Sequence, residues 1–186
     1  MKRCFDLLLV LASIVFLTVP IISIAVAVKL TSSGPVLYWS ERVGRLNRTF
    51  SMPKFRSMRV DTPALATHLL QNPDYWMTPI GSFLRKSSLD ELPQLWSIMR
   101  GDMSFVGPRA ALFNQEDLVE LRTKKGVHKL VPGLTGWAQI NGRDELPIPT
   151  KVELDAEYLR EWSLFLDIKI LLLTALKVLT RDGVSH

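Results

Sequence analysis

The most extended feature of the hydrophobic pattern is a run without a charged side chain, 22 residues from Leu7 to Val28. A helix rising about 1.5 Å per residue crosses the roughly 30 Å apolar layer of a bilayer in that length. Lys2 and Arg3 precede the run, and Lys29, Arg42, Arg45 and Arg48 follow it. Three readings compete. A cleaved secretory signal is one, with Ala25-Val26-Ala27 resembling a small-residue cleavage site, but the run exceeds the usual apolar core of about 7–15 residues. The others are a spanning helix and a re-entrant hairpin that enters and leaves on one face. Basic residues at both ends place both on the cytoplasmic side, which a simple span does not satisfy. Pro20 falls mid-run, where it removes a backbone hydrogen bond and bends a helix. Thr18 and Ser23 stand close enough to satisfy freed backbone groups, and Asp6 is expected at the interface near a helix N-terminus. On pattern alone, spanning and re-entrant readings stay evenly matched.

Beyond the run, Ser32-Ser33-Gly34-Pro35 breaks the helix. Val36–Trp39 reads as a strand, Arg42–Arg48 as a turn, and Thr49–Met52 as a second strand whose end Pro53 demotes to an edge. The pair predicts a hairpin lying near the membrane. A short helix is expected around Ala64–Gln71 within a loop reaching Pro79, with Tyr75 and Trp76 as interface anchors or core. Ile80–Arg85 reads as a short helix. Leu92, Leu95, Trp96 and Met99 then recur at helical spacing and predict a core face. Glu116–Lys125 reads as a charged amphipathic helix with a solvated face, and Lys151–Trp162 as a helix carrying Glu153, Asp155, Glu157 and Glu161. Asp167–Thr180 is an apolar helix too short to span; an interfacial position and a core position both suit it. The fold class that follows is α+β, mostly helical.

Between these elements, Ser87-Ser88-Leu89-Asp90-Glu91-Leu92-Pro93-Gln94 joins two carboxylates to the preceding Arg85 and Lys86. Adjacent carboxylates suit divalent-cation binding or nucleophilic attack, and a helix N-terminus there suits phosphate. The same residues also form a capping box, Ser88 to Glu91, with Asp90 as an alternative N-cap given Pro93. Lys54-Phe55-Arg56-Ser57-Met58-Arg59 is either a solvated or lipid-facing basic patch or a phosphate-binding segment. Gly101–Arg109 is a short apolar run ending in a lone Arg. Pro132–Arg143 reads as a Gly-rich loop whose Gln139, Asn141 and Arg143 offer hydrogen-bonding groups, and glycine allows close backbone approach to a ligand.

Composition narrows this picture. Residues 1–60 hold nine Lys/Arg and two Asp/Glu, so the basic excess of the chain (+5 overall) sits beside the apolar run. That favours an anionic membrane surface over nucleic acid, for which a soluble basic stripe is expected. The single cysteine, Cys4, excludes an internal disulfide. His68, His128 and His186 have no zinc-ligand spacing.

Taken in order, the apolar helix with Pro20, Lys54-Phe55-Arg56-Ser57-Met58, Arg85 through Gln94, Gly101 through Arg109, the Pro132–Arg143 segment and Leu166-Asp167-Ile168-Lys169 resemble the bacterial sugar transferases. The small monotopic phosphoglycosyl transferases of the polyprenyl-phosphate N-acetylhexosamine-1-phosphate type are the nearest match. The resemblance implies a re-entrant membrane helix over residues 1–30, bent at Pro20. It implies a catalytic domain over 31–186, continuous with that helix, with interfacial helices around an active site at the cytoplasmic face of the plasma membrane. It also implies an Asp90–Glu91 dyad, with Asp90 as nucleophile and both residues as Mg²⁺ ligands. Lys54, Arg85 and Arg109 match positions facing phosphates, and Gln139, Asn141 and Arg143 the nucleotide-sugar side. The implied reaction moves a sugar-1-phosphate from a UDP-sugar to polyprenyl phosphate through an aspartyl phospho-sugar, at the start of capsule, lipopolysaccharide, exopolysaccharide or glycoprotein assembly. An N-acetylated amino sugar is the expected donor, with glucose or galactose as the second choice; a homo-oligomer is left open. Three positions depart from the family pattern: Val19 for Ser, Pro53 for an aromatic or apolar residue, and Ala110 for Pro. They bear on local geometry and leave the dyad untouched. A catalytically inactive membrane-surface scaffold or lipid-binding protein of the same fold is the alternative.

Overall fold

In a computed structural model, which describes residues 1–63, 72–142 and 146–180, the apolar run becomes α1 (Lys2–Thr31), 30 residues long and so about 45 Å in length. It is long and apolar enough to cross a membrane, with a mean hydropathy of 2.8 over its most apolar window. Asp6, Val10, Ile24 and Val28 are buried along one narrow stripe, with Leu17 and Ile21 packed between them. Leu11, Val15, Val19 and Ile22 are exposed on the other side. Among the described residues only the stripe docks on protein, and the opposite side of the helix presents an exposed apolar surface.

The same folded body holds both ends of α1. At the start, Lys2 pairs with Asp167 at 2.6 Å, and Arg3 donates to the carbonyls of Ile98 and Met99. At the far end, Val28 packs with Phe55 and Leu84. Asp6 is not at an interface: it is 3% exposed and accepts from Ser104 Oγ at 3.0 Å and Phe105 N at 3.1 Å. The docking stripe carries it inside, where those donors need an acceptor. α1 stays helical through Pro20. Pro20 frees the carbonyl four residues back, that of Phe16. Thr18 Oγ1 instead donates to Ile14 O at 2.5 Å, a back-bond of the kind that bends helices.

α1 ends at Ser32, as the Ser-Ser-Gly-Pro break predicts. β1 (Leu37–Val43) and β2 (Thr49–Phe55) form the expected hairpin. β2 continues through Pro53 because it lies at the edge of the sheet, with β1 as its one neighbour there among the described residues, where a missing N–H costs no ladder bond on the outer side. Among the helices, α2 (Gly81–Lys86) and α3 (Leu95–Arg100) flank a 3₁₀ turn, Leu89–Gln94. β3 (Ser104–Val106) pairs in parallel with β5 (Gly133–Thr135), and β4 (Ala111–Leu112) joins β1. α4 (Glu116–Lys124), α5 (Trp137–Ile140), α6 (Ile148–Glu161) and α7 (Leu164–Thr180) complete the fold.

Two sequence expectations are corrected here. Pro132–Arg143 is not a plain loop, because it holds β5 and α5. A Cβ on Gly133 or Gly136 would collide with the Gly107 backbone, so the glycines bring two backbones together. The core face expected from Leu92, Leu95, Trp96 and Met99 holds only for Leu92 and Leu95. Trp96 and Met99 are exposed, whereas Leu95 and Ile98 are buried. The 3₁₀ turn, at about 3.0 residues per turn, shifts the register against a 3.6-residue pattern. The helix expected at 64–71 lies outside the described residues. Tyr75 is exposed, edge-on to Trp76.

Candidate active site

The dyad sits in a segment that cannot become a regular helix. Ser88 takes a left-handed conformation (φ 56°) and forms no side-chain cap. Pro93 then lacks the N–H that an α-helix would use. The result is the Leu89–Gln94 3₁₀ turn in place of the capping box, and Asp90 is inside that turn instead of capping it. Successive side chains there diverge by about 120°. Asp90 therefore lines a cavity of about 330 Å³, while Glu91 turns to Lys54 and Arg109.

Each basic partner comes from a different element. Lys54 lies on β2 opposite Tyr38, and its Nζ meets Glu91 Oε1 at 2.7 Å. Arg109 follows β3, held by a bridge to Gly133, and its Nη2 reaches the same oxygen at 3.5 Å. Arg85, on α2, donates through Nε to Ser57 Oγ at 3.2 Å. Lys54, Arg85, Arg109 and Gln139 all line the cavity with Asp90. Gln139 donates to Leu134 O at 3.0 Å, and its Oε1 is buried without a partner among the described residues. Asn141 is exposed at the end of α5, bonded to Trp137 O, and does not line the cavity. Arg143 lies outside the described residues.

The pKa values of the two carboxylates are shifted in opposite directions. Burial pushes Asp90 above the usual carboxylate range and Glu91 adds to the rise, against the pull of Lys54, Arg85 and Arg109. Burial acts on Glu91 in the same direction, but Lys54 and then Arg109 overcome it and hold Glu91 down at about 2. Glu91 thus contributes stability that is present above its unfolded pKa and lost as the pH falls toward about 2. Asp90, raised on folding, has the opposite sign: its ionisation works against the fold. Arg85 is lowered, first by burial, although both carboxylates oppose the shift.

Several contributors carried no sequence signal of their own. Arg122 forks onto Asp155 Oδ2 at 2.9 and 2.7 Å and donates to Arg109 O at 2.8 Å, so a buried ion pair fixes the backbone of a site residue. Arg42 donates to Ala110 O at 3.2 Å. In sequence, Arg122 and Asp155 look like members of solvated helix faces, and nothing local distinguishes them.

For metal binding, no group of three or more His, Cys, Asp or Glu side chains is found among the described residues. Asp90 faces the cavity, while Glu91 is engaged by two cations. That donor set fits Mg²⁺, which takes one or two carboxylates and completes its shell with substrate phosphates and water.

A family profile described as bacterial sugar transferase matches residues 1–181. The chain is 44% identical, over 96% of its length, to a UDP-glucose:undecaprenyl-phosphate glucose-1-phosphate transferase of Xanthomonas campestris pv. campestris. It is 36% identical, over 98%, to an undecaprenyl-phosphate galactose phosphotransferase of Salmonella typhimurium. It spans 38% and 41% of those two relatives. It is also 40% identical over its whole length to an uncharacterized sugar transferase, EpsL, of Bacillus subtilis, of which it covers 91%. From residues 1–181 and these relatives, the chain belongs to the bacterial sugar transferase family.

Proposed function

We propose that the chain transfers a sugar-1-phosphate from a UDP-sugar to undecaprenyl phosphate at a membrane surface, releasing UMP. The observation that carries this is a buried Asp90 lining a cavity among Lys54, Arg85 and Arg109, with Glu91 held ionised beside it. Three cations suit a diphosphate, and an unprotonated Asp90 supplies a nucleophile. Asp90 attacks the sugar-bearing phosphorus; the bond to the UMP oxygen breaks and its electron pair leaves with UMP. An oxygen of undecaprenyl phosphate then attacks the aspartyl phospho-sugar and frees the carboxylate. Asp90 and Glu91 are the residues that would hold Mg²⁺, which would supply neutralisation of the diphosphate. One phosphoanhydride replaces another, so no further energy source is required.

The donor is a UDP-hexose. The names of the relatives favour glucose and galactose, and the N-acetylated amino sugar implied by the sequence resemblance belongs in the same panel. Purified protein with Mg²⁺, each UDP-sugar and undecaprenyl phosphate is expected to release UMP with one donor class and to yield lipid-linked diphosphate sugar. No UMP from any donor would sink this reading and leave a lipid-binding scaffold.

The membrane arrangement that suits this chemistry is re-entrant. The acceptor lipid stays in the bilayer and the UDP-sugar stays in water, so the dyad belongs at headgroup depth. Anchorage of both ends of α1 to one folded body supports this. A membrane-impermeant maleimide is expected to label Cys4, which is exposed, from the cytoplasmic side. Ser33→Cys in a Cys4→Ser background is expected to react from that same side. Labelling from opposite sides would establish a span.

A further inference from the structure

Arg56 is the one basic side chain of the Lys54–Arg59 segment that is almost wholly enclosed, at 8% exposed. Its Nη1 is buried without a hydrogen-bond partner among the described residues. Its backbone N donates to Val36 O at 2.9 Å, which extends the β1–β2 pairing by one residue. By strand alternation Arg56 shares the face of Lys54, and both line the cavity that holds Asp90. The neighbouring cations have protein partners: Lys54 has Glu91 and Arg59 has Asp61.

The guanidinium rests against the turn that ends α1. A Cβ on Gly34 would collide with Nη1, and Gly34 has φ +102°, so glycine there both makes the turn and leaves the space. A second cavity, of about 540 Å³, is lined by Thr31, Ser32, Ser33 and Arg59; Arg59 and Val60 line both cavities. The cavity that holds Asp90 and Arg56 thus shares a wall with a cavity at the foot of α1.

A buried guanidinium with an unpaired donor is costly to fold. A phosphoryl oxygen removes that cost, because the planar fork matches phosphate geometry. We infer that Arg56 binds a phosphoryl oxygen of a substrate in this cavity. This rests on the proposed phosphosugar transfer, and the phosphate belongs either to the lipid acceptor or to the nucleotide-sugar donor.

The test compares wild type with Arg56→Gln and Arg56→Lys, each checked for folding by thermal scan. Steady-state kinetics are measured with undecaprenyl phosphate in detergent and with the active UDP-sugar, and inorganic pyrophosphate affinity by calorimetry. Loss of a charge-assisted hydrogen bond is expected to raise one KM and weaken pyrophosphate about 10- to 100-fold in Arg56→Gln. A raised KM for undecaprenyl phosphate identifies the acceptor, and a raised KM for the UDP-sugar identifies the donor. Arg56→Lys, which keeps the charge and loses the fork, is expected to fall between, and it decides the matter if the Gln variant does not fold. Both KM values and the pyrophosphate affinity staying within about twofold of wild type in a folded variant overturn the inference. If wild type turns over no donor, the transfer reaction fails by itself, and lost pyrophosphate affinity in the variant still supports Arg56 as an anion-binding residue.

Discussion

Asp90→Asn is expected to lower UMP release on the order of 10⁴-fold or more, the scale at which an enzyme loses its nucleophile. It is also expected to remove a phospho-sugar adduct from the intact mass. Asn fills the same space, and no hydrogen bond to the Asp90 carboxylate is formed among the described residues, so circular dichroism and the unfolding midpoint should change little. Wild-type activity should carry the mark of the Asp90 environment. Burial raises its pKa, and only the carboxylate attacks, so kcat/KM falls as the pH drops through a value above the usual carboxylate range. Glu91, held at about 2, stays ionised across that limb and does not contribute to it. An acid limb at an ordinary carboxylate pKa, or UMP release by Asp90→Asn within about tenfold of wild type, would remove Asp90 from the nucleophile role.

Asp167→Ala is expected to give the largest stability loss, about 3–5 kcal/mol, the range for breaking a buried ion pair from one side. Asp167 is fully buried, at 0% exposed. It takes Lys2 at 2.6 Å, the Tyr158 hydroxyl at 2.6 Å and Trp162 Nε1 at 3.3 Å. Removing it takes the short acceptor from all three donors, leaving Lys2 only the Tyr158 hydroxyl at 3.3 Å among the described residues, and releases the first turn of α1 from α7. The Tyr158 hydroxyl, whose pKa burial and then this bond push up, keeps only a long contact to Val106 O at 3.4 Å. Asp167→Asn keeps one acceptor oxygen, enough for the Tyr158 hydroxyl on Oδ1 but not also for the Oδ2 partners Trp162 and Lys2, and it loses the charge opposite Lys2, so about 2 kcal/mol is expected. In detergent, the Ala variant should unfold about 10 °C lower and the Asn variant about half as far. Equal midpoints for wild type and Asp167→Ala would show that the network does not anchor α1.

Much of the architecture is legible without coordinates because its signals are local. A charge-free run of membrane length, a Ser-Ser-Gly-Pro break, alternation on either side of a Gly- and Asn-containing turn, and helical patterns for α4 and α6 each depend on neighbouring residues alone. The parallel pair β3–β5 is not legible in this way. Its strands are three residues each, too short for a pattern, and they meet because Gly107, Gly133 and Gly136 allow close backbone approach. The dyad segment misleads for a related reason. Ser88-x-x-Glu91 is a sound capping signal, but Pro93 and the left-handed Ser88 commit the chain to a 3₁₀ turn, and this also moves Trp96 and Met99 out of the core.

The chemical inventory is readable from the chain alone: an apolar helix flanked by cations, adjacent carboxylates at Asp90 and Glu91, and Lys54, Arg85 and Arg109 among the candidate phosphate partners. These follow from residue type and order, which folding does not alter. Tertiary structure decided how the inventory is used. Glu91 takes Lys54 and Arg109 and stays ionised, whereas Asp90 faces the cavity with a raised pKa, because a 3₁₀ turn points neighbouring side chains apart. Asp6 leaves the expected interface, and Asp6 and Asp167 pin α1 to β3 and α7 through donors on distant elements, Ser104 and Phe105 for Asp6 and Lys2 for Asp167. Burial and charge pairing depend on distance in space, and in this chain the pairs that matter join residues dozens of positions apart.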